Sequence, residues 1–101
     1  MNDSRATGTV VVNKPEGLHA RPAELFVSLA RQFNATIDIL KDDQRVDAKS
    51  ILHVLTLAAV QGTELRLEAV GEDAAAAVAA LVGLVASDFA TNRTASQTKS
   101  G

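Results

Sequence analysis

The segment Thr63-Glu64-Leu65-Arg66-Leu67-Glu68-Ala69 alternates without a break, with Leu65, Leu67 and Ala69 on one side and Glu64, Arg66 and Glu68 on the other. Successive side chains of a β-strand point to opposite faces, so this reads as a strand with one apolar and one charged face. A strand of that kind cannot lie between two layers of helices, because its charged face must meet water. Every helix the chain forms is therefore expected on one side of a single antiparallel sheet.

The remaining elements fit that frame. Thr9-Val10-Val11-Val12 is a β-branched run closed by Asn13-Lys14-Pro15-Glu16-Gly17, a strand followed by a loop. From Ala20 the period changes to helical: Leu25, Phe26, Leu29, Ala30 and Phe33 recur on one face, and Asn34 suits the C-cap. Residues 36–40 alternate as a strand, Asp42-Asp43 makes a tight turn, and Arg45-Val46-Asp47 returns as its partner. Asp-Asp is a poorer two-residue turn than Asn-Gly, since both central residues can be required to take positive φ. Ser50 stands where an N-cap belongs, ahead of Ile51-Leu52-His53-Val54-Leu55, and Gln61-Gly62 is read as the end of that second helix. Gly71-Glu72-Asp73 opens a third helix with acids in its first turn, and Ala74, Val78, Leu81, Val82, Val85 and Phe89 form its apolar stripe. The order is β-α-β-β-α-β-α.

At 101 residues the chain suits one domain, assigned to residues 1–89, with residues 90–101 as a disordered polar tail. Before residue 90, eight bases face twelve acids, a net charge of −4. Three phenylalanines are the only aromatics, so the basic field and stacking surface of a nucleic-acid binder are missing. There is no cysteine, which excludes disulfides, thiolate nucleophiles and cysteine-ligated metals. No apolar run approaches the roughly 18 residues that span a bilayer, and the polar start does not read as a signal peptide. A cytoplasmic location without membrane insertion is the expectation.

The string Gly17-Leu18-His19-Ala20-Arg21-Pro22-Ala23 joins the first loop to the first helix. Pro22 fits the first helical turn, where its missing N–H costs no intrahelical bond. That sets His19 at or beside the N-cap, facing unpaired backbone amides and the positive end of the helix dipole. Gly17 and Ala20 border this anion site. The local potential favours a neutral, nucleophilic imidazole, and Arg21 supplies a cation. A lone histidine at a helix start also serves as a plain capping or surface residue, and both readings stand at this level.

The motif is more specific than its physics. Gly-Leu-His-Ala-Arg-Pro-Ala, together with Lys49-Ser50-Ile51 at matching spacing, resembles the HPr family, the histidine-containing phosphocarriers of the bacterial phosphoenolpyruvate-dependent sugar phosphotransferase system. The resemblance runs from about Thr7 to Phe89. It implies an α+β open-faced β-sandwich, a four-stranded antiparallel sheet covered on one side by three helices. It also implies that His19 takes a phosphoryl group on Nδ1 from enzyme I and hands it to the A domains of sugar permeases, with Arg21 holding the group. A carrier of this sort is not an enzyme in its own right and needs no cofactor or metal.

The family further implies that Ser50 can be a regulatory phosphorylation site for an HPr kinase/phosphorylase. The resemblance sets Ile51, Leu52 and Leu55 beside His19 as the partner face, to which Ala20, His53 and Glu24, an acid where relatives often carry other residues, are added, while Val54 and Leu57 suit the core. The plain alternative is that the apolar residues of the second helix are all buried. His53 stands where the family usually has Gly or Lys, and Ala58 replaces a common glycine. A metal site pairing His19 with His53 lacks a third ligand at any recognised spacing. A monomer is expected of a shuttle. The rival functional reading is an HPr-like regulatory protein of the nitrogen-related branch, whose phosphorylation state controls partner proteins.

Overall fold

The computed structural model describes residues 4–15, 17–18, 20–87 and 89. The elements are β1 (Arg5–Val11), α1 (Ala20–Ala30), β2 (Thr36–Lys41), β3 (Gln44–Asp47), α2 (Ile51–Thr56), β4 (Glu64–Val70) and α3 (Ala74–Ala86), the anticipated order. The strands form one sheet in the order β1-β4-β2-β3, and every neighbouring pair is antiparallel. The tail expected at residues 90–101 lies outside the described residues.

The alternation in β4 organises the molecule. Leu65, Leu67 and Ala69 are buried, and register sets Ile39 opposite Leu67 and Ile37 opposite Ala69, all but sealed from solvent. Val10 extends this layer across β1, opposite Leu65. From the helices come Ala23, Phe26, Val27 and Ala30 of α1, Val54 of α2, and Ala74, Ala77, Val78, Leu81 and Val85 of α3. Gly8 lets α3 lie close on β1, since a Cβ there would come within 2.7 Å of Val78 Cγ1.

On the open face, Asp38 sits directly across from both Glu68 and Asp47, a like-charge arrangement that opposes pairing. Arg45 answers it, with its guanidinium 2.8 Å from Asp38 Oδ2 and 3.1 Å from Glu68 Oε1.

Four local expectations change. α1 ends at Ala30, before Asn34, and the chain leaves it through tightened bonds from Gln32 N to Leu29 O and Phe33 N to Ala30 O. In the Asp42-Asp43 hairpin only Asp42 takes positive φ, +54°. α2 stops at Thr56, five residues before Gln61, and Gly62 (φ +91°) instead belongs to a turn closed by Thr63 N on Val60 O. The acids expected in the first turn of α3 lie ahead of it. Asp73 is the N-cap residue, but its carboxylate turns outward to accept from Asn34 N and Ala35 N, both at 2.8 Å.

Candidate functional site

His19 lies outside the described residues, so the site is defined by what flanks it. On one side is a fastened loop. Val12 donates to Thr63 O (2.9 Å) and accepts from Gly62 N (2.8 Å), and Leu18 N donates to Ala59 O (2.8 Å). Between them Gln61 Nε2 donates to Asn13 O at 3.2 Å. Leu18 is 2% exposed, which fixes the residue before His19 in the core. Gly17 is required where it stands. Its φ is +84°, and a Cβ would come within 2.5 Å of Ala59 O. The Gly17 amide, expected among the anion donors, is used within the loop, donating to Lys14 O at 2.9 Å.

On the other side α1 begins at Ala20, so Pro22 does fall in its first turn, buried. Ala20 and Arg21 carry first-turn amides with no carbonyl one turn earlier in the helix, and Pro22 carries none. Ala20 is exposed and has φ +46°, a left-handed conformation that costs an L-residue about 1–2 kcal/mol. The Arg21 side chain is 76% exposed, and among the described residues it is held only by a 3.7 Å approach to Glu24 Oε1. A guanidinium so loosely engaged is free to turn toward an anion at the helix start.

α2 supplies the second cluster. Ser50 caps it with extended backbone (φ −116°, ψ 113°), its Oγ accepting from His53 N at 3.3 Å. Val54 and Leu57 are buried as anticipated. The reading in which the apolar residues of α2 are all buried fails. Leu52 is 72% exposed and Leu55 38%, with His53 exposed between them, while Ile51 is half-buried against the core. Ile51 and Glu24 share an open groove of about 340 Å³ between α1 and α2, with Val27, Ser28 and Arg31.

Two clasps set the angle of these helices. Arg31 Nε donates to Lys49 O (2.9 Å), and Lys49 Nζ donates to Phe33 O (2.6 Å). They bring Ser50 to the C-terminal end of α1, about 15 Å of helix from the end that follows His19.

Three features escaped the sequence reading. Val60 is 65% exposed in the loop after α2, and no periodicity marks it. Ala58 has φ +49°, so its departure from the family's glycine costs backbone conformation. Gln61 was read as a helix end, yet it lies in the turn closed by Thr63 N on Val60 O, five residues past the end of α2. Among the described residues no three His, Asp or Glu side chains group as metal ligands, and no helix is long and apolar enough to cross a membrane.

The match to known proteins covers nearly all of this architecture. The family model described as the PTS HPr component phosphorylation site matches residues 6–87. The phosphocarrier protein HPr of Treponema pallidum is 43% identical over 81 residues, 80% of this chain and 92% of that protein. The HPr-like protein Crh of Bacillus subtilis is also 43% identical, over 76 residues, 75% of this chain and 89% of Crh. Among solved structures, HPr from Thermoanaerobacter tengcongensis superposes with a TM-score of 0.81 at 42% identity, covering 83% of this chain and 94% of that one. A crystal structure of Crh, a swapped-domain dimer, matches with a TM-score of 0.66 at 39% identity over 81% of this chain and 93% of its own.

Proposed function

The chain belongs to the HPr family of phosphotransferase-system phosphocarriers, and from that premise we propose that His19 is its phosphoryl acceptor, loaded by phosphorylated enzyme I and unloaded onto sugar-permease A domains in the cytoplasm. The observation that carries this reading is the Gly17-Leu18-His19-Ala20-Arg21-Pro22 string at the start of α1, where Leu18 is pinned and the helix opens at Ala20. In the transfer, the lone pair of a neutral imidazole nitrogen attacks phosphorus as the bond between phosphorus and its carrier group on enzyme I breaks. First-turn amides and the swinging Arg21 guanidinium would meet the phosphoryl oxygens.

Ala20, Glu24, Ile51, Leu52, His53 and Leu55 are proposed as the partner face. A shuttle must release one partner before meeting the next, which suits a small exposed patch around Leu52 and Leu55. The carrier has no turnover of its own and works as a monomer, which sedimentation would check. Ser50 is proposed as a regulatory phosphorylation site for an HPr kinase/phosphorylase. A phosphate there adds about −1.5 to −2 charges beside the partner face and acts by repelling acidic partners.

Incubation with enzyme I and phosphoenolpyruvate should place one acid-labile phosphate on the wild-type protein and none on His19→Ala. A His19→Ala protein that still takes up phosphate refutes the assignment.

A regulatory reading is favoured by one specific observation, the equal identity to Crh, whose solution structure is described as a catabolite repression HPr. Under it the phosphorylation state controls partner proteins, as in the nitrogen-related branch. Restoring sugar uptake in a strain without HPr separates the two: transport requires rescue, and regulation alone gives none.

A further inference from the structure

We propose that Arg31 is the cation that holds a phosphoryl group carried by Ser50, so that the regulatory mark is received by the end of α1. The inference rests on the reading of Ser50 as a phosphorylation site and adds the residue that answers its charge. Ser50 is half-buried where the end of α1 meets the start of α2. Much around it opposes a phosphate. The last carbonyls of α1 carry the negative end of the helix dipole. Asp47 is close, its carboxylate accepting from Lys49 N at 2.9 Å and its carbonyl from Ser50 N at 3.1 Å. With only six residues, α2 offers little dipole in compensation. A dianion at this point needs a side-chain cation.

The nearby cations differ in what they already hold. Lys49 Nζ is committed to Phe33 O at 2.6 Å, and Lys41 Nζ to Leu57 O at 3.1 Å, at the far end of α2. The Arg31 amide donates to Val27 O at 2.9 Å, which fixes its backbone as a continuation of α1. Its Nε donates at 2.9 Å to Lys49 O, the carbonyl of the peptide bond to Ser50. That bond hangs the guanidinium beside the serine. Among the described residues neither Nη of Arg31 has a hydrogen bond or ion pair. Planar donors already placed there meet phosphoryl oxygens at little cost in side-chain freedom. His53 is the remaining neighbour, its amide donating to Ser50 Oγ while its side chain stays exposed. Arg31 and Ile51 line the groove between the two helices together with Glu24. A phosphate held by Arg31 turns that end of the groove from positive to negative, which turns acidic partners away at a defined place.

The test places phosphoserine at position 50 of the full chain by genetic incorporation, in the wild type, Arg31→Lys, Arg31→Gln and His53→Ala. Each background is measured with serine and with phosphoserine, so the loss of the bond to Lys49 O cancels. The phosphorus NMR resonance, ordinarily titrating near pH 6, should titrate lower in the wild type and Arg31→Lys than in Arg31→Gln. The change in melting temperature on phosphorylation should be about 2–5 °C more favourable in the wild type than in Arg31→Gln. Equal titration in those two overturns the proposal, as do equal changes in melting temperature. A titration that moves in His53→Ala and not in Arg31→Gln gives the phosphate to the imidazole and also overturns it. Treating the unmodified protein with an HPr kinase/phosphorylase tests the site separately. No uptake there refutes the reading of Ser50, while the phosphoserine comparisons still decide whether Arg31 holds the group.

Discussion

β4 has a connection at each of its ends, and the two are built differently. Ahead of Glu64, the 59–63 segment holds the 12–18 segment by backbone bonds and by the close approach of Gly17 to Ala59. Beyond Val70, a single carboxylate, Asp73, gathers the amides of Asn34 and Ala35, and Gly71 packs its backbone against Ala35. The four non-glycine residues with positive φ among the described residues are Ala20, Asp42, Ala58 and Phe89. All four lie toward the first of these ends, at the start of α1, the β2–β3 hairpin, the exit of α2 and the exit of α3. Val11 and Val60, both exposed, are there too. Non-glycine backbone strain is thus concentrated where the His19 loop is held, while the far connection, where Val70 is also exposed, is fastened by ordinary hydrogen bonds. Such strain persists only where surrounding structure over-determines it, and functional sites are where proteins tolerate it.

The contrast can be broken most strongly at its glycines. Gly17→Ala puts a methyl group against Ala59 O and should cost about 1–3 kcal/mol in chemical denaturation. It should also cut phosphoryl transfer by about tenfold or more, because the residue before His19 is displaced. Gly71→Ala, at φ +144° and with a Cβ 2.8 Å from Ala35 Cα, should destabilise by a similar amount yet leave the transfer rate of the folded protein unchanged. Equal losses of transfer in both variants would erase the distinction between the two ends.

Relieving strain should give a smaller effect of opposite sign. Ala58→Gly removes the left-handed penalty at φ +49°, offset in part by the greater freedom of glycine in the unfolded chain. A net gain of about 0.5–1 kcal/mol is expected, read as a higher denaturation midpoint at unchanged slope. A loss on this substitution would mean that Ala58 is not strained.

The smallest effect belongs to the far connection and depends on pH. The Asn34 amide foremost, with the Ala35 amide and the Lys49 charge, holds the Asp73 carboxyl below its ordinary value, against an opposing contribution from burial. A carboxyl lowered in the folded state stabilises fully above its unfolded pKa of about 3.9 and loses that contribution as pH falls through the lowered value. Asp73→Asn should therefore melt below the wild type at pH 7, and the gap should close in strong acid. A gap that stays constant down to pH 2 would assign the stabilisation to something other than the ionised carboxylate.

The unbroken alternation of β4 required a one-sided sheet, and the period change at Ala20 together with Ser50 as an N-cap located α1 and α2. These features are local, carried by side-chain periodicity and capping chemistry within a few residues. The HPr resemblance singled out His19 and Arg21 because a motif is also a contiguous string. Other features required distant segments to meet. Asp73 looked like a helix-start acid, yet its carboxylate serves amides nearly forty residues away in sequence, because the sheet brings Val70 beside Thr36. Gln61 looked like the end of a helix, yet it reaches Asn13 because β1 and β4 pair from Arg5 to Val11. The exposure of Leu52, Leu55 and Val60 was likewise decided by which side of a short helix and its exit the core leaves uncovered. Periodicity identifies an apolar face, but only the packed neighbours determine how much of it water still reaches.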